Sequence, residues 1–321
     1  MSIRPAHSAK APQATNSNIS VPKINGFNLS FCDASFGFSL NILSFLLPGP
    51  ALGEFLLYYI FYSDECLNSP DIPEKDVYSL KAMQYGKIVK ATFVSRPNRF
   101  IAHVNIEGHK TVVHVKNTGR CRELLLPGAV VYLEQSTNPA RKTPYDLIAV
   151  EKVTPRGTVL VNMDSQAPNK VAAEWIRANK RRFPKLQLVR PEYTFGNSRF
   201  DFYIEFAGRK MFLEVKGVTL EHDGFATFPD APTERGIKHL TELTRIKSER
   251  VAAEDGTSYE CGVLFLIQMK GCKRFGPDDN IHPEFGKALR NARKAGVEIF
   301  VIDCKVAPDS LVADKPVTLI L

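Results

Sequence analysis

A predicted hairpin at residues 198–218 carries two carboxylates and one lysine, in a pattern that suits metal-dependent chemistry. The segment reads SRFDFYIEFAGRKMFLEVKGV, and its alternation predicts two strands joined by a turn at residues 207–208. Glu214 and Lys216 are two residues apart, so they point to the same face of the second strand. The hairpin then places Asp201, on the first strand, beside them.

These three side chains suit phosphodiester chemistry. Carboxylates are the ligands expected for Mg²⁺ or Mn²⁺, so Asp201 and Glu214 are the predicted metal ligands. Lys216 would position an attacking water or stabilise charge on a phosphate. The alternative is a solvated strand face with a cross-strand ion pair, an arrangement that is common and contributes little to stability.

The order of these residues resembles the core of PD-(D/E)xK nucleases, in which an Asp is followed on the next strand by Glu-x-Lys. The resemblance implies catalytic roles for Asp201, Glu214 and Lys216. The sequence departs from the pattern at Phe200, where such families often have proline.

Three more polar residues are candidates for the same site. Gln268 ends the apolar run 262–269, and α/β sheets present functional groups at strand ends, so we expect it to be catalytic. Glu174, on a predicted helix, and Glu192, on a predicted strand, are weaker candidates. Solvent exposure is the alternative for both.

Composition indicates an ordinary soluble protein with unevenly distributed charge. The chain has 321 residues, 44% of them hydrophobic and 24% charged, which predicts two domains. Its formal net charge is +8; residues 1–82 hold 5 Lys and Arg against 7 Asp and Glu, which leaves 37 against 27 in the remainder. A basic body favours a polyanionic partner, DNA first and RNA as the alternative.

The cysteine spacing and the absence of certain motifs further narrow the classes of protein to which this sequence can belong. The six cysteines are scattered, without Cys-x-x-Cys or zinc spacing, so we expect reduced thiols in a cytoplasmic protein and no structural zinc. A Gly-rich nucleotide loop and a nucleophile elbow are also absent from the sequence, which disfavours a metabolic enzyme. A structural or metabolic protein without a nucleic-acid role stays open as a third class.

The first 82 residues are predicted to be a poorly ordered extension. Residues 1–35 are rich in Ser, Asn, Pro and Ala, which predicts disorder and no secretory signal peptide. Residues 39–62 are apolar and nearly long enough for a membrane helix, but prolines and Glu54 interrupt them. A buried or interfacial segment is the alternative, and a third is that translation begins at Met83.

Residues 83–162 predict a small OB-like β-barrel that binds nucleic acid. Six short runs with strand periodicity are separated by turn residues. The predicted strands are 88–94, 100–106, 111–115, 129–134, 145–153 and 158–161.

The barrel's exposed face is expected to carry the contacts to nucleic acid. An Asn-Thr-Gly turn also presents backbone N–H groups to a phosphate, although a purely structural turn fits equally well. The aromatic residues Phe93, Phe100 and Tyr132 are expected in the core rather than as stacking platforms. The candidate nucleic-acid-binding residues here are Arg96, Arg99, Lys116, Asn117, Thr118 and Arg120.

Residues 163–321 predict an α/β domain around the hairpin. Helices are expected at 170–180, with Asn169 as N-cap, at 233–253 and at 283–296, and buried strands at 262–269 and 297–306. Arg235 and His239 share one face of the second helix. They would contact a phosphate if that face is turned toward the hairpin, and are surface groups otherwise.

Five motifs in order resemble the sugar fermentation stimulation protein family. They are RPNRF (96–100), HVKNTGRCRELLLPG (114–128), SRFDF (198–202), LEVKGVTL (213–220) and FPDAPTERGIKHLTEL (228–243). The resemblance covers about 83–306 and implies an N-terminal OB-like barrel, a C-terminal PD-(D/E)xK-like domain and DNA binding. It also implies regulation of sugar (maltose) metabolism genes, with a Mg²⁺-dependent nuclease of DNA or RNA as the alternative.

Overall fold

The computed structural model describes residues 41–45, 57–61, 83–117, 119–155 and 157–321. The chain divides into two units, Met1–Tyr78 and Ser79–Leu321. In the first unit, strand β1 (Asn41–Phe45) pairs antiparallel with β2 (Leu57–Phe61). These strands lie inside the apolar stretch of the sequence, and no helix among the described residues is long and apolar enough to cross a membrane. The predicted disorder of residues 1–35 lies outside the described residues.

The second unit begins with a six-stranded sheet that closes partly into a barrel. Its order is β5-β4-β3-β6-β7-β8, and an additional pairing of β5 with β7 joins the two sides. Alternate residues such as Val104, Val113 and Leu133 face inward and are fully buried. The strands are β3 (Ile88–Asn98), β4 (Ile101–Ile106), β5 (His109–Val115), β6 (Val130–Gln135), β7 (Tyr145–Thr154) and β8 (Gly157–Asn162).

A mixed six-stranded sheet with helices forms the rest of the unit. Its strands, in spatial order, are β17 (Ser310–Pro316), β16 (Glu298–Ala307), β14 (Glu260–Ile267), β11 (Arg209–Val218), β10 (Ser198–Phe206) and β9 (Leu186–Phe195). The predicted hairpin is β10 and β11, paired antiparallel. On its other side β11 runs parallel to β14, which is buried along nearly its whole length as its continuous apolar sequence predicts.

Three helices and a small sheet complete the domain. The helices are α1 (Ala167–Ala178), α2 (Glu234–Ser248) and α3 (Pro283–Lys294). The small sheet contains β12 (Leu220–His222), β13 (Phe225–Phe228), β15 (Arg274–Pro277) and β18 (Thr318–Leu319).

Two helix boundaries differ from the predicted ones. Helix α1 begins three residues before the predicted start, because Pro168 favours the first helical turn, and this places Asn169 inside the helix rather than at its N-cap. Helix α2 begins after Thr233 as expected, with the Thr233 hydroxyl accepting from the Gly236 N–H at 3.1 Å. It ends at Ser248 rather than near residue 253, because Arg250 has a left-handed φ of 51°.

One continuous hydrophobic core joins the barrel to the α/β domain. It contains Val104 and Leu133 from the barrel together with Leu240 and Phe265 from the α/β domain. A second cluster packs α1 against the central sheet. Among the described residues, four cysteines are buried free thiols: Cys121, Cys261, Cys272 and Cys304.

Candidate functional site

Asp201 lies where the β10–β11 hairpin opens. The antiparallel register runs only to the pair Phe202 and Leu213, and beyond it the Asp201 carboxylate takes the place of a backbone acceptor. Its Oδ2 accepts from the Val215 N–H at 2.7 Å, and its Oδ1 accepts from the Asn169 amide at 2.9 Å. Burial, and then the charge of Glu214, raise the pKa of Asp201.

Glu214 is buried and held from two sides. Its Oε1 accepts from the Lys216 ammonium and is hydrogen-bonded to Nδ1 of His239. Burial acts to raise the pKa of Glu214, but the His239 hydrogen bond and the Lys216 charge outweigh it, so the pKa lies below its ordinary value. The second oxygen, Oε2, is buried and has no hydrogen-bond partner.

The two carboxylates therefore fit a divalent cation. Repulsion from Glu214 contributes to the raised pKa of Asp201, and a cation between such groups offsets that repulsion. The described residues contain no group of three or more His, Cys, Asp and Glu that would hold a metal alone. Mg²⁺ does not require one, because it commonly binds one or two carboxylates and completes its shell with water and substrate phosphates.

Helix α2 turns only part of the predicted polar face toward the hairpin. His239 is buried, with 8% of its side chain exposed, and its Nδ1 contacts Oε1 of Glu214. Its neighbours Leu240 and Leu243 are also buried, whereas Arg235 is exposed to solvent. The structure thus places His239 as a support for Glu214 rather than on a surface open to nucleic acid.

Gln268 joins the end of β14 to the linker before α1. Its amide nitrogen donates to Asn162 Oδ1 at 2.9 Å and to the Asp164 carbonyl at 3.1 Å. A Cβ at Gly217, the residue after Lys216, would collide with the Gln268 amide oxygen. Gln268 therefore lies beside the site, in a buried hydrogen-bond network, and its catalytic role stays a prediction.

A polar cavity of about 100 Å³ adjoins this network. Gly217 and Gln268 line it from the α/β domain, and Asn117 lines it from the barrel. Asp230, Ser165 and two threonines add further polar groups to its wall. The cavity thus places Asn117 next to the strand that carries Glu214 and Lys216.

The two weaker acidic candidates lie elsewhere. Glu192 is exposed, and its carboxylate is 3.5 Å from Arg199. Glu174 accepts a hydrogen bond from the Met83 backbone. The α1 residue that reaches Asp201 is Asn169, which the sequence indicated only as a helix cap.

Arg96 is half-buried, which corrects the expectation of an exposed contact. Its terminal nitrogens donate to the carbonyls of Asn117, Gly119 and Arg120 at 2.7–2.9 Å. They also donate to the Arg99 carbonyl at 2.8 Å. Carbonyl groups that point into a tight turn need donors, and the Arg96 guanidinium supplies them.

Lys116 is also removed from the exposed face. Its side chain is 17% exposed, and its ammonium lies 3.4–3.6 Å from carboxylate oxygens of Glu134, Asp146 and Asp164. Arg99 and Arg120 are exposed as expected, and Asn117 is half-buried. Thr118 lies outside the described residues.

Asp230 connects the barrel loop to the α/β domain. The Arg120 backbone N–H donates to its carboxylate, whose pKa is raised by burial despite the nearby Arg96 and Arg120 charges. Gly119 packs so closely against Asp230 that a Cβ there would collide with the carboxylate. Two motifs that are far apart in sequence, 114–128 and 228–243, therefore meet where Gly119 and Arg120 contact Asp230.

The fold and this site define a class: an OB-like barrel followed by a restriction-endonuclease-like α/β domain with an Asp, Glu-x-Lys arrangement. Two family models match, "SfsA N-terminal OB domain" over residues 94–162 and "Sugar fermentation stimulation protein RE domain" over residues 166–310. The chain belongs to the sugar fermentation stimulation protein family.

This chain matches similar proteins over nearly their full length. The sugar fermentation stimulation protein homolog of Desulfitobacterium hafniense (strain Y51) is 54% identical over 236 residues, which are 74% of this chain and 97% of the relative. The homolog from Clostridium beijerinckii is 48% identical over 229 residues, 71% of this chain and 96% of that protein. The structure of Pyrococcus furiosus SfsA in complex with Ca²⁺ has the same fold, with a TM-score of 0.65, 24% identity and coverage of 76% of this chain and all of that one.

Proposed function

We propose that this protein binds DNA and hydrolyses its phosphodiester bonds with a divalent cation, Mg²⁺ or Mn²⁺, held by Asp201 and Glu214. The observation that carries the proposal is the buried Glu214 carboxylate, which is kept ionised while its Oε2 has no partner. Leaving a charged oxygen buried and unpaired is costly unless a ligand offsets it. The Pyrococcus furiosus relative in complex with Ca²⁺ supports binding of a divalent ion.

The neighbouring side chains have distinct proposed roles. Asn169 and the Val215 N–H orient Asp201, while His239 orients Glu214. The Lys216 ammonium, which is paired with Glu214, would turn to the phosphate and stabilise the negative charge that develops there. A bound divalent cation would polarise the phosphate and lower the pKa of a coordinated water.

We assign the two parts of the proposed function to different domains. In our proposal, residues 83–162 bind nucleic acid and residues 163–321 carry the nuclease site. The exposed Arg99 and Arg120 would contact phosphates. The buried free thiols support a reducing, cytoplasmic location.

A DNA-binding regulator without cleavage is the second candidate function. The ion pair between Lys216 and Glu214 favours it, because a lysine so engaged is not free to act on a phosphate. The family name favours a role in sugar fermentation, with genes of sugar (maltose) metabolism as the proposed targets.

One experiment separates the two functions. The full chain, Asp201→Asn and Glu192→Gln are incubated with labelled single- and double-stranded DNA and RNA, with Mg²⁺, Mn²⁺ or EDTA. Glu192→Gln is the matched control, because it removes an exposed carboxylate on the neighbouring strand. We expect metal-dependent cleavage that Asp201→Asn lowers by about a hundredfold or more, with DNA binding retained and Glu192→Gln unchanged.

Each other result has a defined meaning. Cleavage by Asp201→Asn at the wild-type rate would remove Asp201 from the site. DNA binding without cleavage, equal in all three proteins, would leave the regulator as the function. Failure to bind any of the nucleic acids would refute both candidates.

A further inference from the structure

A groove of about 610 Å³ crosses the barrel surface beside the β3–β4 turn. Its lining includes Arg96, Arg99, Arg120 and Arg122, and contains no Asp or Glu. Ala231 and Pro232 of the α/β domain close one end. The groove is therefore positively charged and complements a phosphate backbone.

Phe100 directly follows the groove residue Arg99 in the chain, and it is one of the exposed large hydrophobic residues. It is 52% exposed, whereas the sequence predicts a core position for it. The other two aromatic candidates are accounted for, since Phe93 is buried and the Tyr132 hydroxyl donates to Glu151. Leu126 is also exposed, at 56%. An exposed aromatic ring next to arginines is the combination that binds unpaired bases.

The turn that carries Phe100 is rigid. Asn98 Oδ1 accepts from the backbone N–H groups of Phe100 and Ile101 at 2.9 and 3.0 Å. The Arg96 guanidinium ties the Arg99 carbonyl to the carbonyls of the facing loop. The backbone that carries Phe100 and Arg99 is thus held by hydrogen bonds before any ligand binds, which lowers the entropy cost of ordering it.

We propose that this groove binds an unpaired DNA strand, with one base stacked on Phe100 and phosphates on Arg99, Arg120 and Arg122. The inference rests on the proposed DNA binding and adds the form of DNA recognised. In a duplex the faces of the bases are covered by their neighbours, so Phe100 has a partner only when bases are unpaired. Arg96 acts as a positioning residue, because its terminal nitrogens are occupied by carbonyls.

One loop borders both the groove and the polar cavity beside Gly217. Gly119 and Arg120 line the groove, while Asn117 of the same loop lines the polar cavity beside Gly217. The same loop therefore borders both the groove and the cavity beside Gly217, the residue after Lys216 in β11.

Fluorescence anisotropy in EDTA tests the proposal with the full chain. The probes are labelled oligo-dT of about 20 nucleotides, an abasic strand and a duplex of the same length, and oligo-U. The variants are Phe100→Ala and Phe100→Leu, with Val153→Ala as control, because Val153 is 82% exposed on the barrel and does not line the groove. We expect Phe100→Ala to weaken oligo-dT binding about 5- to 100-fold and to leave the abasic strand and the duplex unaffected.

The outcomes separate this inference from the proposed function. Partial loss in Phe100→Leu and no loss in Val153→Ala support stacking. Equal binding of oligo-dT by the wild type and Phe100→Ala, or tighter binding of the duplex or of oligo-U than of oligo-dT, overturns the inference while nucleic-acid binding survives. Absence of binding to every probe overturns the proposed function as well.

Discussion

Asp201 and Glu214 show that neighbours, rather than residue type, set the behaviour of a carboxylate. Both are largely buried, and burial acts to raise the pKa of both. Glu214 has His239 and Lys216 to favour its charged form, so its pKa is lowered. For Asp201 burial is the larger cause and the negative charge of Glu214 adds to it, so its pKa is raised. At the residue scale, the pair favours a bound cation, because Glu214 stays charged and its charge destabilises the ionised form of Asp201.

Asp146 gives a prediction for pH and stability. Burial raises its pKa, but bidentate hydrogen bonds from Arg141 at 2.7 and 2.9 Å, with His114 and Lys116, lower it from 3.8 to about 2. Because the folded pKa lies below the unfolded one, this stabilisation is present above about pH 4 and is lost as the pH falls toward 2. We expect Asp146→Asn to be less stable by about 2 kcal/mol at pH 7 and to lose less stability on acidification.

Urea unfolding at pH 7, 4 and 3 measures this effect. Glu254→Gln is the control, since Glu254 is exposed. If Asp146→Asn had the same stability and the same pH profile as the wild-type protein, the stabilising role given to Asp146 and its cationic partners would be contradicted.

At the element scale, β11 needs Gly217 where it passes α1 and the end of β14. A Cβ there would lie 2.8 Å from Pro168 Cγ and would also collide with the Gln268 amide. We expect Gly217→Ala to destabilise the protein by about 1–3 kcal/mol through overpacking. Thermal unfolding monitored by circular dichroism measures the change.

Gly86→Ala provides the matched control for this prediction. A Cβ at Gly86 would meet its nearest neighbour, Glu134 Oε1, at an ordinary 3.6 Å. Equal melting temperatures for the two variants would show that the β11 junction accommodates a side chain, against our expectation.

At the scale of the whole molecule, the barrel and the α/β domain share one core and should unfold together. The common cluster joins Val104 and Leu133 to Leu240 and Phe265, and the buried bond from Gln268 to Asn162 crosses the same junction. Calorimetry of the full chain should therefore show one cooperative transition for residues 79–321. Two well-separated transitions within this unit would mean that the shared core contributes little to cooperativity.

The sequence by itself determined the elements and the central motif. Alternation and turn residues placed the barrel strands and the β10–β11 hairpin, because a period of two records which strand face is buried. The same periodicity put Glu214 and Lys216 on one face. A continuous apolar run indicated β14 as a strand covered on both sides.

Only the tertiary structure decided which groups these residues meet. Asn169 reaches Asp201 across 32 residues and His239 reaches Glu214 across 25, and no local period encodes contacts at such separations. Arg96 is drawn inward by carbonyls of a loop more than twenty residues away, while Phe100 is left exposed. Periodicity describes the face of an element, but the partner on that face is set by how distant elements pack.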